Sequence, residues 1–388
     1  MHICLVSLDY KPYRSSGLTL YAEDLARGLQ ELGQEVSVIA ARRPGLPSRH
    51  YVEGVPVFRL PIGAADWLGY GWRVSRFLDH EQDKIPFQVL HFLDVHFAYA
   101  CHEPFVASLW QSFRQRLTAR NGSTYSTGPV DRVRRELYYR AAQKWMERPS
   151  LERAGRLVAS CTSTRQEFIQ HYHVPPAKID LALQGIDTEF FLPVPAEQLR
   201  TRLGLDGYQV LLFTGFITPR KGLEYLGAAL QLLPERVHLV IIGRWEAGYR
   251  KRFLEAVGPA IQRVHEVGFV PDEERPSYYS MADVYVSPSL LEGLGITPVE
   301  AMACGTPAVV TSASSGPEEV GETGLIVPPC DPQALAEAIR TLLEDDPLRR
   351  RLSQCGRERA LSMFSYRKMA ELTLGSYYTF LGSKDAAP

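Results

Sequence analysis

The chain has 388 residues, more than one average domain needs and enough for two of roughly 150–200 residues each. Only 22% of residues are charged and the formal net charge is −1, so no global charge draws the chain to nucleic acid. The six cysteines (Cys4, Cys101, Cys161, Cys304, Cys330 and Cys355) are far apart and form no C-x-x-C pair, which argues against a zinc site or a disulfide framework and fits reduced thiols in a cytoplasm.

The opening MHICLVSLDYKPY lacks the basic start and long apolar stretch of a signal peptide, and no apolar run reaches the roughly 18–20 residues of a membrane span. HICLVSL is instead a continuous apolar run, the pattern of a strand buried on both faces. A loop, DYKPYRSSG, leads to LTLYAEDLARGLQEL, where Leu18, Tyr21, Leu25 and Leu29 share one helical face and Gly33 stops the helix. EVSVIA is the next strand, completing a βαβ unit and predicting a parallel sheet. Ser16 and Gly17 precede the helix, where backbone amides can meet a phosphate or sugar or a serine can simply cap; local chemistry allows both.

His91, His96 and His102 lie close in sequence but lack the i, i+4 spacing of a metal pair, so a structural or surface role is the simpler reading. His96 is the candidate polar group for an acceptor. Residues 132–156, RVRRELYYRAAQKWMERPSLERAGR, are basic and carry Tyr138, Tyr139 and Trp145. Such a helix can lie on an anionic membrane surface, or it can be a solvated helix that packs Leu137, Ala141 and Trp145 on the core. The sequence leaves both open.

The proline-rich IDTEFFLPVPAEQ (186–198) breaks the pattern, and the α/β rhythm then restarts with YQVLLFTGF, LEYLGAALQLL and VHLVIIG. The domain assignment is therefore residues 1–187 and 188–365, followed by a final helix and frayed tail at 366–388. Two doubly wound, Rossmann-like parallel-sheet domains facing across a cleft are expected, with ligands at the carboxyl ends of the strands. Arg220 and Lys221 in GFITPRKG sit at a predicted helix start and can clamp a diphosphate, or be two solvated cations.

Residues 292–300 read EGLGITPVE. Thr297, Pro298 and Glu300 have the spacing of a capping box, which accounts for Glu300 but not for Glu292, Gly293 or Gly295. A carboxylate beside two glycines can accept hydrogen bonds from sugar hydroxyls next to exposed amides. Position 298 is proline where G-x-G-x-x-G requires its third glycine, which disfavours a dehydrogenase.

With Glu292 and Glu300 as an E-x7-E pair, the stretch ADVYVSPSLLEGLGITPVEAMACGTPAVVTSASSGPEEVGETGLIVPP resembles the retaining glycosyltransferases of family 4, which have the GT-B fold. SLDYKPYRSSG, LQGIDTEFFLP and PRKG extend the resemblance over nearly the whole chain. The resemblance implies that the C-terminal domain binds a nucleotide-diphosphate sugar, that the N-terminal domain binds a hydroxyl acceptor, and that the final helix crosses back to the first domain. It assigns Glu300 to the ribose hydroxyls, Glu292 to the transferred sugar, and the Gly293, Leu294 and Gly295 segment to the sugar or phosphate. Arg220 and Lys221 would neutralise the leaving diphosphate, so the catalytic set is Glu292, Lys221 and Arg220. Gly17, Gly215 and Arg244 complete the donor-binding set. The implied mechanism retains configuration by front-face attack, with no metal and no cofactor; no Asp-x-Asp pair occurs in the sequence.

Two positions depart from the family pattern. Phe216 stands where an arginine often follows the phosphate-loop glycine, and Trp110, followed by Gln111, stands where a histidine is usual on the acceptor side. The competing expectations are a GT-B sugar-nucleotide epimerase or phosphorylase, and a non-catalytic sugar-nucleotide binder. The expected location is cytoplasmic, at the inner face of the membrane if residues 132–156 take the membrane-binding alternative. The donor's base and sugar, and the acceptor, are not written in these residues.

Overall fold

The computed structural model describes residues 1–13, 17–62, 67–81, 87–118, 129–313 and 315–385. Ser16 and the side chains of Arg132 and Arg135, part of the readings above, lie outside the described residues. Two compact units are present, one built from residues 1–118, 129–185 and 366–385, the other from residues 186–365.

The first unit holds eight strands: β1 (His2–Val6), β2 (Glu35–Arg42), β3 (Arg49–Val52), β4 (Val55–Pro61), β5 (Val89–Phe92), β6 (Val106–Leu109), β7 (Arg156–Ala159) and β8 (Ile179–Leu181). Their order is β3-β4-β2-β1-β5-β6-β7-β8, and every pair is parallel except β3 with β4. The apolar run in β1 has the predicted consequence. Ile3 and Leu5 enter one core with Val36 and Val38, while Cys4 and Val6 enter the opposite core with Ile39 and Phe92. Alternate residues of one strand thus serve two layers of helices.

The last helix, Tyr366–Asp385, packs in this first unit against the helix Gly17–Glu31. Tyr366 and Arg367 both donate to Glu31, each at 2.8 Å, and Tyr377 Oη meets His91 Nδ1 at 2.6 Å. His91 also faces Ser108 Oγ at 2.9 Å. Burial depresses its pKa to about 3, so it is a neutral core residue.

The second unit holds β9 (Gln209–Thr214), β10 (Val237–Ile242), β11 (Val264–Gly268), β12 (Val284–Ser287), β13 (Ala308–Thr311) and β14 (Leu325–Val327). All pairs are parallel, in the order β11-β10-β9-β12-β13-β14. Strand order reverses between β9 and β12, which creates the crevice where doubly wound sheets bind ligands. The loops leaving those two strands are residues 215–222 and 288–295. Among the described residues, no helix is long and apolar enough to cross a membrane.

Candidate active site

The two switch-point loops touch. Leu290 N donates to Arg220 O at 2.7 Å, and a Cβ on Gly222 would lie 2.2 Å from Pro288 O. Gly222 also has φ +63°, so both space and backbone conformation require glycine between the turn Pro219–Lys221 and the helix Leu223–Gln231.

This contact brings Arg220, Lys221 and Glu292 together. Arg220 Nη1 lies 2.9 Å from Glu292 Oε2 and 3.1 Å from Leu291 O. Lys221 Nζ pairs with Glu292 Oε1, and Ser289 Oγ donates to the same oxygen at 3.2 Å. Burial alone would raise the Glu292 pKa, but Lys221 and Arg220 outweigh it and hold the carboxyl down to about 2. The cluster is not sealed: the side chains of Arg220, Lys221 and Glu292 are 24%, 12% and 13% exposed. The Lys221 chain lies over Gly215, whose Cβ would be 4.0 Å from Nζ. Beside this loop, Ile217 N donates to Arg244 O at 2.8 Å; the exposed Arg244 guanidinium sits over the Phe269 ring at 5.4 Å. Phe216 is 52% exposed.

Glu300 is held differently, and the capping-box expectation fails. The helix runs Ile296–Ala303 with Gly295 as its N-cap, so Thr297 lies inside the first turn. Thr297 Oγ1 accepts from Tyr285 Oη at 2.7 Å instead of capping. Glu300 is 1% exposed, and its Oε2 accepts from both Arg275 and Tyr279. Tyr279 Oη in turn meets Thr214 Oγ1 at 2.9 Å, tying Glu300 to the end of β9. Among the described residues, Glu300 Oε1 has no hydrogen-bonding protein partner. Arg275 and Tyr279 were not legible from the motif, since their partners lie 25 and 21 residues away.

In the Gly293, Leu294 and Gly295 segment one amide is already taken: Gly295 N donates to the carboxylate of Glu319, a residue that motif spacing did not single out.

Gly17, His96, Trp110 and Gln111 belong to the first unit. Gly17 opens its helix and is exposed. Trp110 is half-buried: Nε1 donates to Leu93 O at 2.6 Å, and its ring makes a T-shaped contact with Tyr21. Gln111 is partly buried beside it. His96 is 3% exposed and lies between two carboxylates, with Nδ1 2.6 Å from Asp94 and Nε2 3.0 Å from Glu147. Burial lowers its pKa, but Asp94 and Glu147 outweigh it and raise the ring to about 9. It is a buried ionic core group rather than an offered acceptor contact. Among the described residues, no three His, Cys, Asp or Glu side chains group as a metal site, so the three histidines do not converge on one.

In the basic segment, the core-packing alternative for Leu137, Ala141 and Trp145 is overturned. Leu137 and Trp145 are 64% and 67% exposed and Ala141 is also outward, while Ala142 and Met146 pack on Phe113.

Glycosyl transferases group 1 matches residues 196–359, and Glycosyltransferase Family 4 matches residues 15–190. An uncharacterised glycosyltransferase of Methanocaldococcus jannaschii is 28% identical over 97% of this chain and 98% of its own. A D-inositol 3-phosphate glycosyltransferase of Paenarthrobacter aurescens is 27% identical over 94% and 93%. Among solved structures, the sucrose-phosphate synthase of Thermosynechococcus elongatus superposes with a TM-score of 0.78 at 23% identity, covering 99% of both chains. Anabaena HepE in complex with UDP and glucose gives a TM-score of 0.74 at 19% identity, covering 98% of this chain and all of its own.

Proposed function

Since the chain belongs to the family-4 glycosyltransferases and has their GT-B fold, we propose that it is a retaining, metal-independent enzyme using a nucleotide-diphosphate sugar. The observation that carries this reading is the meeting of Arg220, Lys221 and Glu292 at the strand-order reversal of the second unit. Solved structures of this fold titled as complexes with UDP, UDP-glucose or ADP support the donor class.

The chemistry needs a place for the charge that develops on the departing diphosphate. Two partly exposed cations, already oriented by an ionised Glu292, supply it without reorganisation during the reaction. In the front-face path, the bond from the sugar's anomeric carbon to the diphosphate breaks as the acceptor oxygen bonds on the same face. The acceptor's proton passes to the leaving phosphate oxygen, so no enzyme nucleophile is consumed. The protein's contribution is positioning and charge stabilisation. Glu300 Oε1 is available to a ribose hydroxyl while Oε2 stays fixed by Arg275 and Tyr279.

The test is release of nucleoside diphosphate from a panel of UDP-, GDP- and ADP-sugars without acceptor. Slow release from one donor is expected. If none is hydrolysed and none of the nucleotides raises the melting temperature at millimolar concentration, the reading fails.

The acceptor side extends to an anionic membrane surface on the cytoplasmic face. Val133, Leu137 and Ala141 recur every fourth residue on one exposed face of the helix Pro129–Ala142, and Trp145 follows in the next turn. Exposed Arg134, Arg140, Lys144 and Arg148 flank them. Apolar side chains set among cations suit insertion at the headgroup boundary of acidic lipid. Co-sedimentation with anionic but not neutral vesicles, reversed by salt, is expected; absence of binding at low salt removes this part.

A further inference from the structure

Gly295 has φ −80° and ψ 100°, a conformation open to any residue, so its backbone does not require glycine. What it requires is room. A Cβ there would lie 2.6 and 2.7 Å from the two oxygens of Glu319. That carboxylate accepts from the Gly295 amide and, at 2.6 Å, from Ser315 Oγ. Glu319 is 2% exposed, and its chain is pinned by Arg359, which donates to the carbonyls of Glu318 at 2.7 Å and of Glu319 at 3.0 Å. The charged side chains acting on it are Glu292, which opposes its ionisation, and Lys221, which favours it.

A buried carboxylate with two neutral donors and no directly paired cation is an expensive way to anchor a loop; a neutral amide would satisfy the same two donors. The expense makes sense if the charge itself acts on what binds at the loop. We propose that Glu319 is a positioning residue of the donor site, which fixes the 293–295 loop through the Gly295 amide and whose negative charge opposes diphosphate binding there. The proposal rests on the donor-site reading above. Burial raises Glu319 to about 7, more than Ser315 and Gly295 lower it, so both charge states are populated near neutrality. With rising pH the residue places a second negative charge, beside that of Glu292, behind the loop a diphosphate would approach.

Calorimetric titration with UDP, GDP and ADP tests this on the full chain at pH 6 and pH 8, following the tightest nucleotide. Glu319→Gln keeps the acceptor for Gly295 but not the charge. It should match the unsubstituted chain at pH 6 and bind about three- to tenfold tighter than it at pH 8. Ser315→Ala removes a donor that lowers the Glu319 pKa, so it should move the pH midpoint of binding upward, a second readout if Glu319→Gln folds poorly. The ratio of variant to unsubstituted affinity cancels titration of the nucleotide itself. An equal pH response in the unsubstituted chain and Glu319→Gln, or an unmoved midpoint in Ser315→Ala, overturns the proposal. Lys221→Ala separates the two levels: if it loses nucleotide binding while the Glu319 ratios stay flat, only the role of Glu319 falls. If it binds normally, the donor-site reading falls as well.

Discussion

Each unit contains a carboxylate cluster with a strongly displaced pKa, and the two clusters have opposite surroundings. In the first unit, His96 is closed between Asp94 and Glu147, and Glu147 also accepts from Phe113 N and Tyr172 Oη. Glu147 is fully buried. In the second unit, Arg220, Lys221 and Glu292 stand at the carboxyl ends of β9 and β12 and keep an exposed side. Displaced pKa values mark both places equally, so they do not by themselves identify a site. What separates the clusters is whether the charges have spare access and whether the fold puts them where a ligand enters.

The sharpest break of this comparison is Glu147→Ala. It leaves a buried imidazolium short of a partner and should lower folding stability by about 3–5 kcal/mol in urea titrations. Nucleotide affinity of the folded fraction should not change. A stable variant that loses nucleotide binding would mean the first cluster belongs to the site.

Glu300→Ala should destabilise by about 3 kcal/mol, because Arg275 then stays largely buried without its carboxylate, and should also weaken nucleotide binding. A loss near 1 kcal/mol would mean that Arg275 does not depend on Glu300 for its charge partner. The two clusters should also separate by pH. His96, raised to about 9, contributes stability that is complete below about pH 6.5 and lost as pH rises through 9. Glu292, lowered to about 2, contributes stability present above about pH 4.5 and lost as pH falls through 2. His96→Gln should therefore flatten the alkaline limb of thermal stability, and Glu292→Gln the acid limb. The smallest effect belongs to the exposed helix face. Trp145→Ala should leave stability within about 0.5 kcal/mol and weaken anionic-vesicle binding about tenfold.

Much of this architecture was legible because it depends on local pattern. Continuous apolar runs gave β1 and β9, glycine gave the end of the first helix, and PRKG and EGLG lie in loops that follow strands. Their meeting could be anticipated only through the resemblance, since Arg220 and Glu292 are 72 positions apart and nothing between them carries a trace of the contact. The capping box failed for a related reason. Its spacing is a local rule, but Tyr285, 12 residues upstream, takes the Thr297 hydroxyl, and Arg275 with Tyr279 takes Glu300. Glu319 was invisible because its significance lies in a pairing with an amide 24 residues away. The basic helix was ambiguous for another reason: Leu137 and Trp145 are apolar, and only packing decides whether an apolar residue faces core or solvent.

The central claim is that the switch-point cations receive the donor's diphosphate. Calorimetric titration of the tightest nucleoside diphosphate into the unsubstituted chain and Lys221→Ala tests it most directly. The predicted result is a loss of affinity of at least about tenfold with melting unchanged within a few degrees. Equal affinity in the two proteins would contradict it.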